Sequence, residues 1–136
     1  MSTIKLAIAE DHLKYREILK TLLNLEQNID VIFVADTGAD LLQKLESIEV
    51  DIVLLDYRMP IMDGLEALKQ IRIKHPQIKT IINTSIQDSL IEQEFKQSGA
   101  NAFLLKDADF GVLIDTIEEV HKKGYCYNDI FVENLD

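Results

Sequence analysis

Five short apolar runs, at residues 4–9, 30–35, 51–55, 79–84 and 101–105, punctuate the sequence and are rich in Ile, Val and Leu. Each is too brief for a helix, so the pattern predicts five buried strands. Between them the spacing becomes helical. Leu13, Ile18, Leu19, Leu22, Leu23 and Leu25 group as one helical face, and Leu65, Leu68 and Ile71 recur at intervals of three, so both helices are expected to pack on the sheet. Further helices are predicted at 38–47, 88–98 and 109–123, the last with Phe110, Leu113, Ile114, Ile117 and Val120 on one side. Punctuation agrees: Gly38 and the pair Asp63 and Gly64 precede helices, His75 and Pro76 end one, and Ser98 and Gly99 close another. A β/α unit repeated five times implies an α/β fold, with a parallel sheet and helices on both of its faces.

At 136 residues the chain is expected to form one domain with a single core. An apolar fraction of 47% with 28% charged residues is ordinary for a globular protein, and no apolar stretch is long enough to span a bilayer. The start of the chain carries neither a charged leader nor a small-residue cleavage site, so a cytoplasmic protein without membrane attachment is expected. A net charge of -10 argues against contact with nucleic acid by this segment, because such a surface needs clustered Lys and Arg. The single cysteine, Cys126, cannot form an intramolecular disulfide, and His12, His75 and His121 lie in no ligand spacing, which argues against zinc or haem.

In a parallel sheet of this kind, sites form outside the carboxyl ends of the strands. Glu10, Asp11, Asp56, Thr84 and Lys106 all fall there. Three carboxylates in one crevice need a cation, or one of them must protonate. Magnesium suits a hard oxygen environment of this kind, and calcium is chemically compatible with it. An Asp carboxylate such as Asp56 can also serve as a nucleophile toward a phosphoryl donor if a divalent cation offsets the repulsion between the two anions. Lys106 could pair with Asp56 at rest and with a phosphoryl oxygen afterwards, and Thr84 could donate its hydroxyl to another oxygen.

These residues, in this order, resemble the response regulator receiver domain of two-component signalling. The resemblance covers nearly the whole chain and rests on Glu10 and Asp11, on Asp56 within residues 54–64, on Thr84, and on residues 99–107, with spacings of 45, 28 and 50 residues from Asp11 to Asp56, Asp56 to Thr84 and Asp56 to Lys106. It implies a doubly wound (βα)5, flavodoxin-like sheet of strand order 2-1-3-4-5. By the same resemblance, Asp56 is the phosphoacceptor, and Asp11, Asp56 and the backbone carbonyl of Arg58 ligate magnesium, with Glu10 acting through a bound water. Lys106 and Thr84 grip the phosphoryl group, and Phe103 occupies the position of the aromatic switch, although plain core packing is an equal account of it. The implied partner is a histidine kinase, and whether phosphorylation produces a homodimer stays open. Lys106 followed by Asp107, together with residues 125–129, looks like the LuxR/NarL-type subfamily, whose receivers usually precede a DNA-binding domain. The receiver is assigned to residues 1–123, and 124–136 to a tail or the start of a linker. A role in regulating transcription would run through a domain outside this sequence, and a stand-alone or degenerate receiver that acts by protein binding is the alternative.

Some residues depart from the family pattern. Asn83 places an amide where an apolar residue is usual, so it either bonds to a neighbouring loop or shifts the register and makes Ser85 the hydroxyl donor. Ile86 cannot orient a hydrolytic water, which predicts slow self-dephosphorylation. A magnesium-dependent aspartyl phosphohydrolase on a similar sheet is disfavoured, because such enzymes usually carry a second Asp two residues after the nucleophile and Arg58 stands there. The expectation is therefore a signalling module that acts on its own aspartate, not a turnover enzyme.

Overall fold

Strands and helices alternate throughout the computed structural model, which describes residues 3–126. In chain order they are β1 (Ile4–Ala9), α1 (Leu13–Asn24), β2 (Ile29–Ala35), α2 (Gly38–Leu45), β3 (Ile52–Leu55), α3 (Gly64–Lys74), β4 (Lys79–Thr84), α4 (Ser89–Gln97), β5 (Ala102–Leu105) and α5 (Phe110–Lys123). All strand pairs are parallel, in the order β2-β1-β3-β4-β5. That is the expected doubly wound sheet. Most of the tail assigned to 124–136 lies outside the described residues.

Both faces of the sheet are covered, which is why the strands read as continuous apolar runs instead of alternating ones. Ala7, Ala9, Val53, Leu55, Ile82 and Phe103 face Leu41 of α2, Leu68 and Ile71 of α3 and Phe95 of α4. Leu6, Ile8, Ile52, Leu54, Ile81 and Leu104 face Leu19 and Leu23 of α1 and Leu113, Ile117 and Val120 of α5. Each fully buried Leu, Ile or Phe contributes about 1.5–3 kcal/mol against the entropy of the chain.

Three strand limits differ by one residue from the expectation, and two of the differences have a side-chain cause. β3 begins at Ile52 because Asp51 turns its carboxylate to accept the Lys5 N–H at 2.8 Å. β5 begins at Ala102 because Asn101 is engaged as a clamp: its Oδ1 accepts the Thr80 N–H at 2.8 Å, its Nδ2 donates to the Gly124 carbonyl at 2.8 Å, and its own carbonyl accepts the Cys126 N–H at 2.9 Å. β2 starts one residue early, at Ile29, which pairs with Ile4. Gly38 and Gly64 are the first residues of their helices, and Thr37 and Asp63 cap them by accepting the N–H groups of Asp40 and Glu66.

The apolar face expected for α1 is corrected. Only Leu19 and Leu23 are buried, whereas Leu13, Ile18, Leu22 and Leu25 are exposed. At 100° per residue the six positions span too wide an arc for one contact. Leu19 and Leu23 continue a stripe that Tyr15 begins four residues earlier, and Ile18, Leu22 and Leu25 form a neighbouring stripe turned away from the sheet.

Candidate functional site

The carboxyl ends of β1, β3, β4 and β5 bring Glu10, Asp56, Thr84 and Lys106 to one end of the sheet. Glu10 and Asp56 are almost fully buried, at 2% and 5% exposure, while Asp11 is exposed at the rim. Oxygens of Glu10, Asp11 and Asp56 lie within 4.8 Å of one another, a spacing and donor type that fit a hard divalent cation. Lys106 Nζ sits between two of the acids, 2.7 Å from Glu10 Oε1 and 3.1 Å from Asp56 Oδ2.

The remaining carboxylate oxygens are satisfied by backbone. Glu10 Oε2 accepts the His12 N–H at 3.0 Å, and Asp56 Oδ1 accepts the Tyr57 N–H at 2.8 Å. Even so, burial and the adjacent negative charge of Glu10 push the Asp56 carboxyl up to about 6, against the opposing pull of Lys106. For Lys106 burial is the largest influence and acts downward, but Glu10 and Asp56 together outweigh it and leave the ammonium raised above its ordinary value. Asp56 therefore titrates close to neutrality while Lys106 stays charged.

Asp56 owes its position to a close approach that only glycine permits. The Gly64 N–H donates to the Tyr57 carbonyl at 2.7 Å, and a Cβ on Gly64 would lie 2.0 Å from the Asp56 carbonyl oxygen. The loop between them carries Arg58, whose side chain is exposed with its guanidinium 4.8 Å from the centre of the Tyr57 ring. Ile61 in the same loop is 87% exposed and has φ of 72°, a left-handed conformation that a β-branched residue adopts at a cost.

Thr84 is buried at the end of β4, and its Oγ1 accepts the Ile86 N–H at 3.2 Å; Ser85 is exposed. The register of β4 against β5 is regular, pairing Asn83 with Leu104 and Thr84 with Leu105, so Asn83 causes no shift. Among the described residues, Asn83 bonds to a helix and not to a loop. Its Nδ2 donates to Tyr15 Oη on α1 at 2.8 Å. Phe103 is fully buried, 6.0 Å from Phe95 between ring centres, and Phe95 meets Tyr57 edge-on at 5.2 Å. These rings connect the residue after Asp56, through α4, to β5.

Two contributors were missed in the sequence. Tyr15 places its ring centre 4.9 Å from Lys106 Nζ, and Arg16 Nη1 donates to the Glu10 carbonyl at 3.0 Å. The signal for Tyr15 was its place four residues before Leu19 in the buried stripe of α1. Arg16 left no such signal, since a charged residue in a first helical turn is more often solvated.

The chain matches the family model described as the response regulator receiver domain over residues 6–118. It is 36% identical over 121 residues to the transcriptional regulatory protein LnrK of Bacillus subtilis (strain 168), covering 89% of this chain and 55% of that protein. The chain thus spans about half the length of the curated relatives it matches. Among solved structures, it superposes with a TM-score of 0.83 and 32% identity on a DNA-binding response regulator of the LuxR family from Staphylococcus aureus, covering 87% of this chain and 98% of that one. A second is the signal receiver domain of the putative response regulator NarL from Mycobacterium tuberculosis, with a TM-score of 0.86, 28% identity and coverage of 90% and 99%. No helix among the described residues is long and apolar enough to cross a membrane.

Proposed function

Because the chain belongs to the response regulator receiver domain family, we propose that it accepts a phosphoryl group on Asp56 from the phosphohistidine of a histidine kinase and converts the new charge into a changed partner surface. One observation carries this reading: a buried strand-end carboxylate, Asp56, shares the Lys106 ammonium with Glu10 while Asp11 lies within 4.8 Å at the open rim. Glu10, Asp11 and Asp56, with the Arg58 carbonyl, would hold a divalent cation, and magnesium is the ion this donor set favours; when bound, it offsets the negative charge of the transferring phosphoryl group.

The chain's own residues do the rest. With its carboxyl at about 6, Asp56 is mostly ionised at neutral pH, and one of its oxygens forms the new P–O bond as the donor's P–N bond breaks. Departure of the phosphoryl group leaves the donor imidazole to retain or take up a proton from solvent. Lys106 moves its ammonium from the Asp56 carboxylate to a phosphoryl oxygen, and Thr84 turns its hydroxyl from the Ile86 N–H toward another. The added charge of about −1.5 to −2 then biases the segment around Phe103. Ile86 offers no polar atom from its side chain to orient water, which favours a long-lived aspartyl phosphate.

Transcription control through a DNA-binding region, in a cytoplasmic setting, is the output this reading favours, since LuxR-family response regulators are among the similar structures. Intact mass after incubation with magnesium and a small acyl-phosphate donor tests the acceptor. One phosphoryl adduct that disappears in Asp56→Asn and in EDTA is expected. The same adduct on Asp56→Asn would overturn the assignment.

A further inference from the structure

A lysine that must exchange one anionic partner for another needs something constant to hold it. Its four-carbon stem carries about 2 kcal/mol of rotamer entropy, and its contact with the Asp56 carboxylate is the one that phosphorylation of Asp56 replaces. Tyr15 supplies a contact that does not change. The Tyr15 ring centre is 4.9 Å from Lys106 Nζ, within the range over which a ring face attracts an ammonium. The ring is fixed from two sides. Its backbone lies in the first turn of α1, where the Tyr15 N–H meets the His12 cap at 3.3 Å, and its hydroxyl accepts the Asn83 amide at 2.8 Å. Asn83 is only 5% exposed, a buried amide near the end of β4, and this bond gives its Nδ2 a partner.

We propose that Tyr15, locked by Asn83, is a positioning residue that holds the Lys106 ammonium at the mouth of the site during phosphoryl transfer. The proposal rests on the role given to Lys106 above. A tie that merely joined α1 to β4 would stabilise the fold without acting through Lys106, and the two cases separate in a double-mutant cycle.

The experiment measures the phosphorylation rate with an acyl-phosphate donor at saturating magnesium for wild type, Tyr15→Leu, Tyr15→Phe, Lys106→Met and the Tyr15→Leu, Lys106→Met double variant. Tyr15→Leu is expected to slow transfer by about 5- to 10-fold, and Tyr15→Phe, which keeps the ring but loses the Asn83 bond that locks it, to recover only part of that loss. In the Lys106→Met background Tyr15→Leu should add no further loss. Equal slowing by Tyr15→Leu with and without Lys106 would overturn the proposal. A second readout needs neither phosphorylation nor a folded variant: ring current from Tyr15 should move the Lys106 ε-methylene protons of the wild type upfield of the other lysines. Their coincidence with exposed lysines would also overturn it. Absence of any adduct on the wild type would defeat the receiver reading instead, and the methylene shift would still decide whether Tyr15 holds Lys106.

Discussion

Replacing Asp56 by Asn should make the metal-free protein more stable, although the residue lies at the centre of the site. The folded chain binds a proton at Asp56 more tightly than the unfolded chain, about 6 against 3.8. Below pH 4 the carboxyl is neutral in both states and imposes no penalty. As pH rises from 4 to 6 the unfolded chain ionises while the folded one resists, so stability is lost through that window and the penalty is complete above it. A displacement of this size corresponds to about 3 kcal/mol at pH 8, reduced by solvent at the open rim to about 2 kcal/mol, and to about 1 kcal/mol at pH 5. The amide keeps an oxygen for the Tyr57 N–H, and Lys106 keeps Glu10 at 2.7 Å. Urea unfolding in EDTA at pH 5 and pH 8 measures the difference directly, and magnesium should stabilise the wild type more than the variant. The reasoning is refuted if Asp56→Asn is no more stable than wild type at pH 8, or if its advantage is the same at both pH values.

Gly64→Ala should cost roughly 2–4 kcal/mol and abolish phosphorylation, because the new Cβ overlaps the Asp56 carbonyl; an unchanged unfolding midpoint would contradict so close an approach. Ile61→Asn should stabilise the protein by about 0.5–1 kcal/mol by relieving a left-handed β-branched residue that buries almost nothing, as read by the denaturation midpoint. Asn101→Ala removes the partners of the Thr80 N–H and the Gly124 carbonyl and should cost about 2–3 kcal/mol, with faster hydrogen exchange at the Thr80 amide as its local signature.

The five parallel strands and the convergence of Glu10, Asp56 and Lys106 were legible because a parallel sheet buried on both faces writes itself as apolar runs, and the residues after those runs share one end, whereas the strand order followed from the family resemblance. Where two apolar stripes adjoin, as on α1, composition does not separate the one that packs from the one that faces water. Leu19 and Leu23 differ from Ile18 and Leu22 only in angle around the helix axis, and that angle acquires meaning once the sheet is in place. The Tyr15–Asn83 bond joins residues 68 apart, and nothing local in either segment announces it. Asn83 looked like a disturbance of the strand for the same reason: a buried amide is interpretable only when its partner is known. Ile61 ran against local preference, since the turn demands a conformation that its side chain resists.

The Asn101 clamp anchors the chain just beyond α5. By tying Gly124 and Cys126 to the amino end of β5, it holds residue 126 at the pole opposite Asp56. The 14 residues of α5 span about 20 Å, so a change of charge at Asp56 has no short covalent route to that anchor. Any effect of such a change at that anchor would have to pass through the packing of α4, β5 and α5 against their neighbours. With the chain tied down there, a partner or domain seated beside it would sense a change in the face it leans on and not a pull along the backbone.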